Sequence, residues 1–144
     1  METKSIALAI LATLLLGACA SPSGESQMAG SSWILQSING SPVGGPVDGQ
    51  KVTLEFTSAT EMGGFGGCNS YGGSYQAGAS SIVFSNILST LRACVDNNIS
   101  RVETEFFSAL EAASSYSLTL CESCAVAESL TISGGGHILV FVKA

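Results

Sequence analysis

The sequence predicts a mainly β fold: a small, antiparallel, barrel-like curved sheet with one packed amphipathic helix. Short apolar segments recur along the chain, several alternate apolar with polar residues, and glycines or prolines separate them. Only one stretch, from about residue 98 to residue 113, has helical periodicity. Because strand signals lie on both sides of this helix, we expect one sheet that curves or partly closes around it.

The first strands are predicted from alternation and turn signals. Residues 33–38 form a predicted strand, and Asn39-Gly40 after them is a strong signal for a tight turn. A loop is expected over residues 41–50, which contain two prolines. Residues 52–56 alternate, as half-buried strands do. The Gly-rich stretch 62–75 predicts short strands around a tight bend.

The second half contains the helix and the closing strands. A short strand is predicted at residues 82–84. The helix has one apolar face, and its glutamates, including Glu103 and Glu105, are expected on the solvated side. Three residues are suitable N-caps, and Ser100 with Glu103 has capping-box spacing. The apolar face consists of Ile99, Val102, Phe106, Leu110 and Ala113, the N-cap candidates are Asp96, Asn97 and Asn98, and the later strands are expected near 116–120, 130–132 and 137–143.

The N-terminal segment resembles the signal of a bacterial lipoprotein. An apolar run from Ile6 to Leu16 precedes Leu16-Gly17-Ala18-Cys19, which is similar to a lipobox. The run is shorter than the roughly 20 apolar residues that a membrane-spanning helix needs. We therefore expect cleavage after Ala18, lipidation of Cys19 and a firm membrane anchor. Ala20 follows the cysteine, which favours the outer membrane if the host has one.

This interpretation divides the chain into a signal peptide (1–18), a flexible tether (19–30) and one domain (31–144). Residues 19–144 carry ten acidic and four basic side chains, a net charge of −6. No Lys/Arg cluster is present, so no nucleic-acid partner is expected. The membrane, through Cys19, and an unidentified envelope protein are the expected partners.

Four further cysteines, Cys68, Cys94, Cys121 and Cys124, are expected to form disulfides outside the cytoplasm. Three pairings are open to them. If Cys121 pairs with Cys124, a bridge from Cys68 to Cys94 remains, which would stabilise the fold by roughly 3–4 kcal/mol in the chain-entropy model.

Metal and redox chemistry are less favoured. A four-thiolate zinc site usually has two closely spaced cysteine pairs, and this sequence has one, so no metal or other cofactor is expected. Cys121-Glu122-Ser123-Cys124 has the spacing of a thiol oxidoreductase, but it follows a predicted strand and not a helix N-terminus. No pattern of residues specifies a catalytic site, so the chain is expected not to be an enzyme.

Two segments carry a family resemblance. At residues 66–71 (Gly-Gly-Cys-Asn-Ser-Tyr) and 90–94 (Thr-Leu-Arg-Ala-Cys) the sequence resembles the META/HslJ family of small domains. Trp33-Ile34-Leu35, the Asn39-Gly40 turn, the helix and a closing strand pair follow the family order over about 110 residues. Cys121 and Cys124 are a departure from this pattern.

The resemblance implies a compact β-rich fold with one helix, proximity of Cys68 to Cys94, and a role in heat-shock or envelope stress without an established catalytic activity. Asn69, Tyr71 and Tyr75 are candidates for a polar and aromatic contact surface, although Asn69 could instead satisfy the turn backbone while the tyrosines pack on the sheet. The leading hypothesis is a non-enzymatic envelope protein that binds or scaffolds. The alternatives are an inhibitor of a cell-wall hydrolase such as lysozyme, and a thiol oxidoreductase that uses Cys121 and Cys124.

Overall fold

The computed structural model describes residues 28–43, 51–120 and 127–144. Within them lie one long helix and nine strands. The strands are β1 (Ser32–Ile38), β2 (Ser41–Pro42), β3 (Thr53–Phe56), β4 (Glu61–Phe65), β5 (Ser70–Ala77), β6 (Ile82–Ser89), β7 (Ser115–Leu120), β8 (Ala127–Gly134) and β9 (His137–Lys143), and the helix is α1 (Asn97–Glu111).

All nine strands belong to one antiparallel sheet in the described part of the chain. Its order is β6-β5-β4-β3-β1-β9-β8-β7, and β2 pairs with the end of β1. The sheet curls into a half-barrel, whose two edges meet where Ser81 pairs with Ser115. Beyond this point the edges diverge, and α1 packs against β6 and β9. The predicted fold class is therefore confirmed.

Large aromatic side chains fill the interior of the curled sheet. Trp33, Phe56, Tyr75, Phe106 and Phe141 are all almost completely buried. Phe56 and Tyr75 meet edge to face with 4.7 Å between ring centroids. Burying a side chain of this size stabilises a fold by about 1.5–3 kcal/mol, so these rings are the main contributors to the core.

The first hairpin has the tight turn that Asn39-Gly40 predicted. Asn39 and Gly40 both have positive φ, 51° and 78°, as a two-residue type I′ turn requires. The turn aligns Ser41 and Pro42 with the end of β1, so the predicted loop begins with the short strand β2. The rest of that loop, residues 44–50, lies outside the described residues.

β6 continues five residues beyond the predicted segment 82–84, to Ser89. Its later residues pair with β5 through the backbone, while most of their side chains are exposed, so apolar alternation gives no signal there.

In α1 the N-cap is Asp96, whose carboxylate accepts hydrogen bonds from the amides of Asn98 and Ile99. No helix in the described ranges is both long enough and apolar enough to cross a membrane.

Candidate functional site

The β4–β5 connection lies directly against helix α1, and two glycines make this approach possible. A Cβ atom on Gly66 would lie 2.8 Å from Oε2 of Glu103 and 2.9 Å from the ring of Phe107. Gly67 has a φ of 117°, a backbone conformation that residues other than glycine rarely adopt. The Gly-Gly sequence therefore places the following residues, Cys68 and Asn69, in contact with the helix.

Asn69 joins three separate segments through its side chain. It is 6% exposed. Its Oδ1 accepts hydrogen bonds from the backbone N–H of Arg92 at 2.7 Å and the hydroxyl of Thr90 at 2.9 Å. Its Nδ2 donates to Oε1 of Glu103 at 2.7 Å. The carboxamide thus ties the β4–β5 turn to both the helix and the segment that precedes it.

Glu103 completes this network from the helix. Its Oε2 accepts hydrogen bonds from the backbone N–H groups of Cys68 at 3.0 Å and Asn69 at 2.6 Å. Only 7% of the residue is exposed. The carboxylate of Glu103 thus accepts hydrogen bonds from three N–H groups. Each of these groups would cost about 1–3 kcal/mol if it were buried without a partner. We call the buried pair Asn69 and Glu103, together with the residues bonded to it, Cys68, Thr90 and Arg92, the buried network.

The prediction that Glu103 is solvated was wrong. Glu103 lies four residues after Ile99 and three before Phe106, so it shares their face of the helix, and that face packs on the β4–β5 turn. This spacing was the signal in the sequence that could have identified it. Because the helix begins at Asn97, Asp96 occupies the N-cap position and Ser100 lies within the helix, so Ser100 with Glu103 forms no capping box.

A disulfide joins Cys68 to Cys94 beside the buried network, with 5.8 Å between the Cα atoms. Both cysteines are half-buried. The bridge fixes the segment before α1 at a second point, two residues beyond Arg92. Cys19, Cys121 and Cys124 lie outside the described residues, so their lipidation and pairing stay predictions.

The three residues that sequence patterns suggested as a contact surface are in the interior. Tyr71 donates from its hydroxyl to the backbone carbonyl of Thr53 at 2.7 Å, and Tyr75 donates to that of Ser58 at 2.9 Å. Both rings are buried, as is Asn69. The described positions of Asn69, Tyr71 and Tyr75 therefore match the structural alternative, in which the amide satisfies the turn and the rings pack on the sheet.

Burial, with a smaller contribution from the Glu55 carboxylate, raises the pKa of Tyr71 well above the ordinary value for tyrosine. The phenol consequently keeps its proton and its hydrogen bond at neutral pH. This tyrosine also contacts Phe106 and Phe107 edge to face, so it links the sheet to the helix.

Residues 88–95, which we call the apolar loop, contain the most exposed aliphatic side chains in the described part of the chain. Leu88 is 77% exposed, Leu91 is 97% exposed, and Val95 is fully exposed. Isolated exposed apolar residues are common, whereas grouped ones often mark a binding surface, and these three lie within one short segment. Between these side chains the backbone is fixed at Thr90 and Arg92 by Asn69 and at Cys94 by the disulfide.

Comparisons with known proteins agree with this fold. The family model of the META domain matches residues 26–144. An NMR structure of a protein from Burkholderia xenovorans aligns with a TM-score of 0.66 and 18% identity, over 100% of this chain and 99% of that one. A second NMR structure aligns with a TM-score of 0.63 and 17% identity, over 82% of this chain and 92% of that one. No curated protein matches the chain.

Proposed function

The chain belongs to the META domain family, and on that premise we propose that it is a non-enzymatic, lipid-anchored envelope protein. Its role in stress tolerance is to bind a partner protein through the apolar loop. The observation that carries this proposal is the contrast between an interior occupied by buried aromatic side chains and an exposed group of aliphatic side chains on a segment held by hydrogen bonds and a disulfide.

The packed interior supports a function at the surface. Aromatic rings occupy the inside of the curled sheet, where a barrel of this kind would otherwise hold a ligand. The apolar loop, in contrast, exposes Leu88, Leu91 and Val95 on a backbone that is already ordered. A preorganised loop loses little conformational entropy on binding, which favours affinity. The three aliphatic side chains suit an apolar depression on a protein.

The position of the loop supports a protein partner over the anchoring membrane. Residues 28–31 lie where β3 ends and β4 begins, because Gly30 donates its amide hydrogen to the carbonyl of Phe56. The apolar loop begins at the end of β6, where Ser89 pairs with Tyr71 near the opposite end of β4. The attachment point of the tether and the apolar loop therefore lie near opposite ends of β4, which supports a partner on the side away from the anchor.

The anchor itself is proposed from the lipobox. Met28 is nine positions beyond Cys19, which corresponds to at most about 30 Å when the chain is fully extended. Two or three acyl chains on Cys19 would retain the domain at the membrane. We assign it to the cell envelope, at the periplasmic face of the outer membrane in a host that has one.

The anchoring is tested with Cys19→Ala in the producing bacterium. We expect the parent protein to sediment with membranes and to carry the mass of a lipid-modified chain that begins at Cys19. The variant should be unmodified and should lose this membrane association. An unmodified parent protein, or equal membrane association of both proteins, would contradict the proposal.

The binding role is tested with the triple substitution Leu88→Ser, Leu91→Ser and Val95→Ser. Val83→Ser is the matched control, since Val83 is 55% exposed but lies near the other end of β6. We expect the triple variant to fold normally but to fail to restore stress tolerance to a deletion strain. A photo-crosslinking residue at position 91 should capture one defined protein, and the same residue at position 83 should not. Full complementation by the triple variant would refute this role.

An inhibitor of a cell-wall hydrolase is the second candidate, because the apolar loop exposes three aliphatic side chains that the cleft of an enzyme could bind. The net charge of −6 would also attract a basic enzyme. Lysozyme activity in the presence of the purified domain at micromolar concentrations decides this, and no inhibition would exclude lysozyme as the target. Use of Cys121 and Cys124 as a redox pair stays a prediction, tested by disulfide exchange with a model substrate.

A further inference from the structure

The disulfide and the buried network meet at one point, where two sulfur atoms lie beside a carboxylate. Sγ of Cys68, Sγ of Cys94 and a carboxylate oxygen of Glu103 lie within 4.8 Å of one another. We propose that, after reduction of the disulfide, these three side chains bind a zinc-type divalent cation. Although Cys94 belongs to the apolar loop, the proposal does not depend on the binding role of Leu88, Leu91 and Val95 or on any partner protein.

Glu103 is the unusual member of this group. A carboxylate is rarely buried unless a charge or several donors compensate it. Its three donors are all uncharged N–H groups, and the one ion pair among the described residues joins Arg101 to Glu105. Since a carboxylate has about four acceptor positions, three donors leave one position for a cation, and one carboxylate oxygen lies within 4.8 Å of both sulfurs.

The ligand set determines the kind of cation. Two thiolates and one carboxylate suit zinc, which accepts sulfur and oxygen ligands in a tetrahedral arrangement. Zn–S bonds of about 2.3 Å place two thiolates roughly 3.8 Å apart. Cysteines whose Cα atoms are 5.8 Å apart can reach this separation by side-chain rotation. Three protein ligands leave the fourth position to water.

The site forms in two balanced steps. A dithiol reductant transfers two electrons and two protons to the Cys68–Cys94 disulfide, which gives two thiols and leaves the reductant oxidised to its own disulfide. The cation then displaces one proton from each thiol, and both protons pass to solvent. The segment before α1 is thus held to the turn by a covalent bond under oxidising conditions and by the metal under reducing conditions.

The test uses the full chain with Cys19, Cys121 and Cys124 replaced by Ser, so that Cys68 and Cys94 are the only cysteines. The protein is reduced with a small dithiol, separated from it under nitrogen and titrated with Zn²⁺, or with Co²⁺ for its thiolate charge-transfer absorption. Glu103→Gln removes the proposed ligand, and Glu105→Gln is the matched control on the same helix. Amide NMR spectra monitor the fold of each protein.

We expect one Zn²⁺ per reduced chain, no binding to the oxidised chain, and at least tenfold weaker binding by Glu103→Gln with no change in Glu105→Gln. Equal binding by the oxidised chain, or parental affinity in Glu103→Gln, would overturn the proposal. If Glu103→Gln does not fold, zinc-edge X-ray absorption of the reduced parent decides instead. Two sulfur ligands with two lighter ligands support the site, whereas any other sulfur count contradicts it.

Discussion

Helix α1 makes two hydrogen bonds between a glutamate and an asparagine in a turn, and they differ in nearly every physical respect. Asn69 donates to Glu103 at 2.7 Å inside the protein, while Asn39 donates to Glu105 at 3.2 Å at the surface. Glu103 also holds two backbone amides, whereas Glu105 contacts the exposed Arg101. Hydrogen bonds shielded from water, and shared with buried amides, are expensive to lose. We therefore expect the bond between Asn69 and Glu103 to contribute strongly to the free energy of unfolding and the bond between Asn39 and Glu105 to contribute almost nothing.

The largest predicted difference comes from adding a carboxylate to each pair. Asn69→Asp places a negative charge against Glu103 and removes a donor, so we expect a loss of about 3–5 kcal/mol in the free energy of unfolding. Asn39→Asp should cost less than about 1 kcal/mol, because water screens the exposed pair. Urea unfolding of the parent and of both variants measures the two losses, and equal losses would refute the contrast.

Removal of the disulfide should have the next largest effect. Cys68→Ser with Cys94→Ser releases a loop closed across 26 residues, which costs about 3–4 kcal/mol in the chain-entropy model. The buried network should still hold the segment before α1, so the amide NMR chemical shifts of Asn69 in the variant should keep the pattern of the parent. Loss of that pattern while the rest of the fold persists would mean that the disulfide, and not the network, positions the segment.

Tyr71→Phe should have a smaller and pH-dependent effect. Loss of the hydrogen bond to Thr53 costs about 1 kcal/mol near neutral pH. Because the pKa of Tyr71 is raised in the folded state, its phenol contributes stability below about pH 10, the unfolded value, and this contribution is lost as the pH rises through the folded pKa. The parent should therefore lose stability above about pH 10 more steeply than Tyr71→Phe. Parallel curves for the two proteins would rule out this contribution.

The same contrast explains what could be predicted from sequence. The Asn39-Gly40 hairpin depends on two adjacent residues with positive φ, and the first strand and the core face of α1 depend on periodicity. Such signals are local, so the fold class followed from them. The family resemblance also predicted that Cys68 lies close to Cys94, and in the structure a disulfide joins them.

The buried network could not be predicted in this way, because its partners are 21 to 35 residues apart. Glu103 was assigned to solvent by its residue type, although its spacing from Ile99 and Phe106 places it on the core face. The exposure of Leu88, Leu91 and Val95 also depends on long-range contacts that fix the backbone between them. Apolar composition alone would favour burial of these side chains.

A pair of double-mutant cycles tests the central claim, that Glu103 and Asn69 act together to hold the turn and the segment before α1 on the helix. One cycle combines Asn69→Ala with Glu103→Ala, and the other combines Asn39→Ala with Glu105→Ala, with free energies of unfolding measured for each protein. We predict a coupling energy of about 2–3 kcal/mol for the buried pair and less than about 0.5 kcal/mol for the exposed pair. Equal coupling energies in the two cycles, or additive losses at Asn69 and Glu103, would contradict the account.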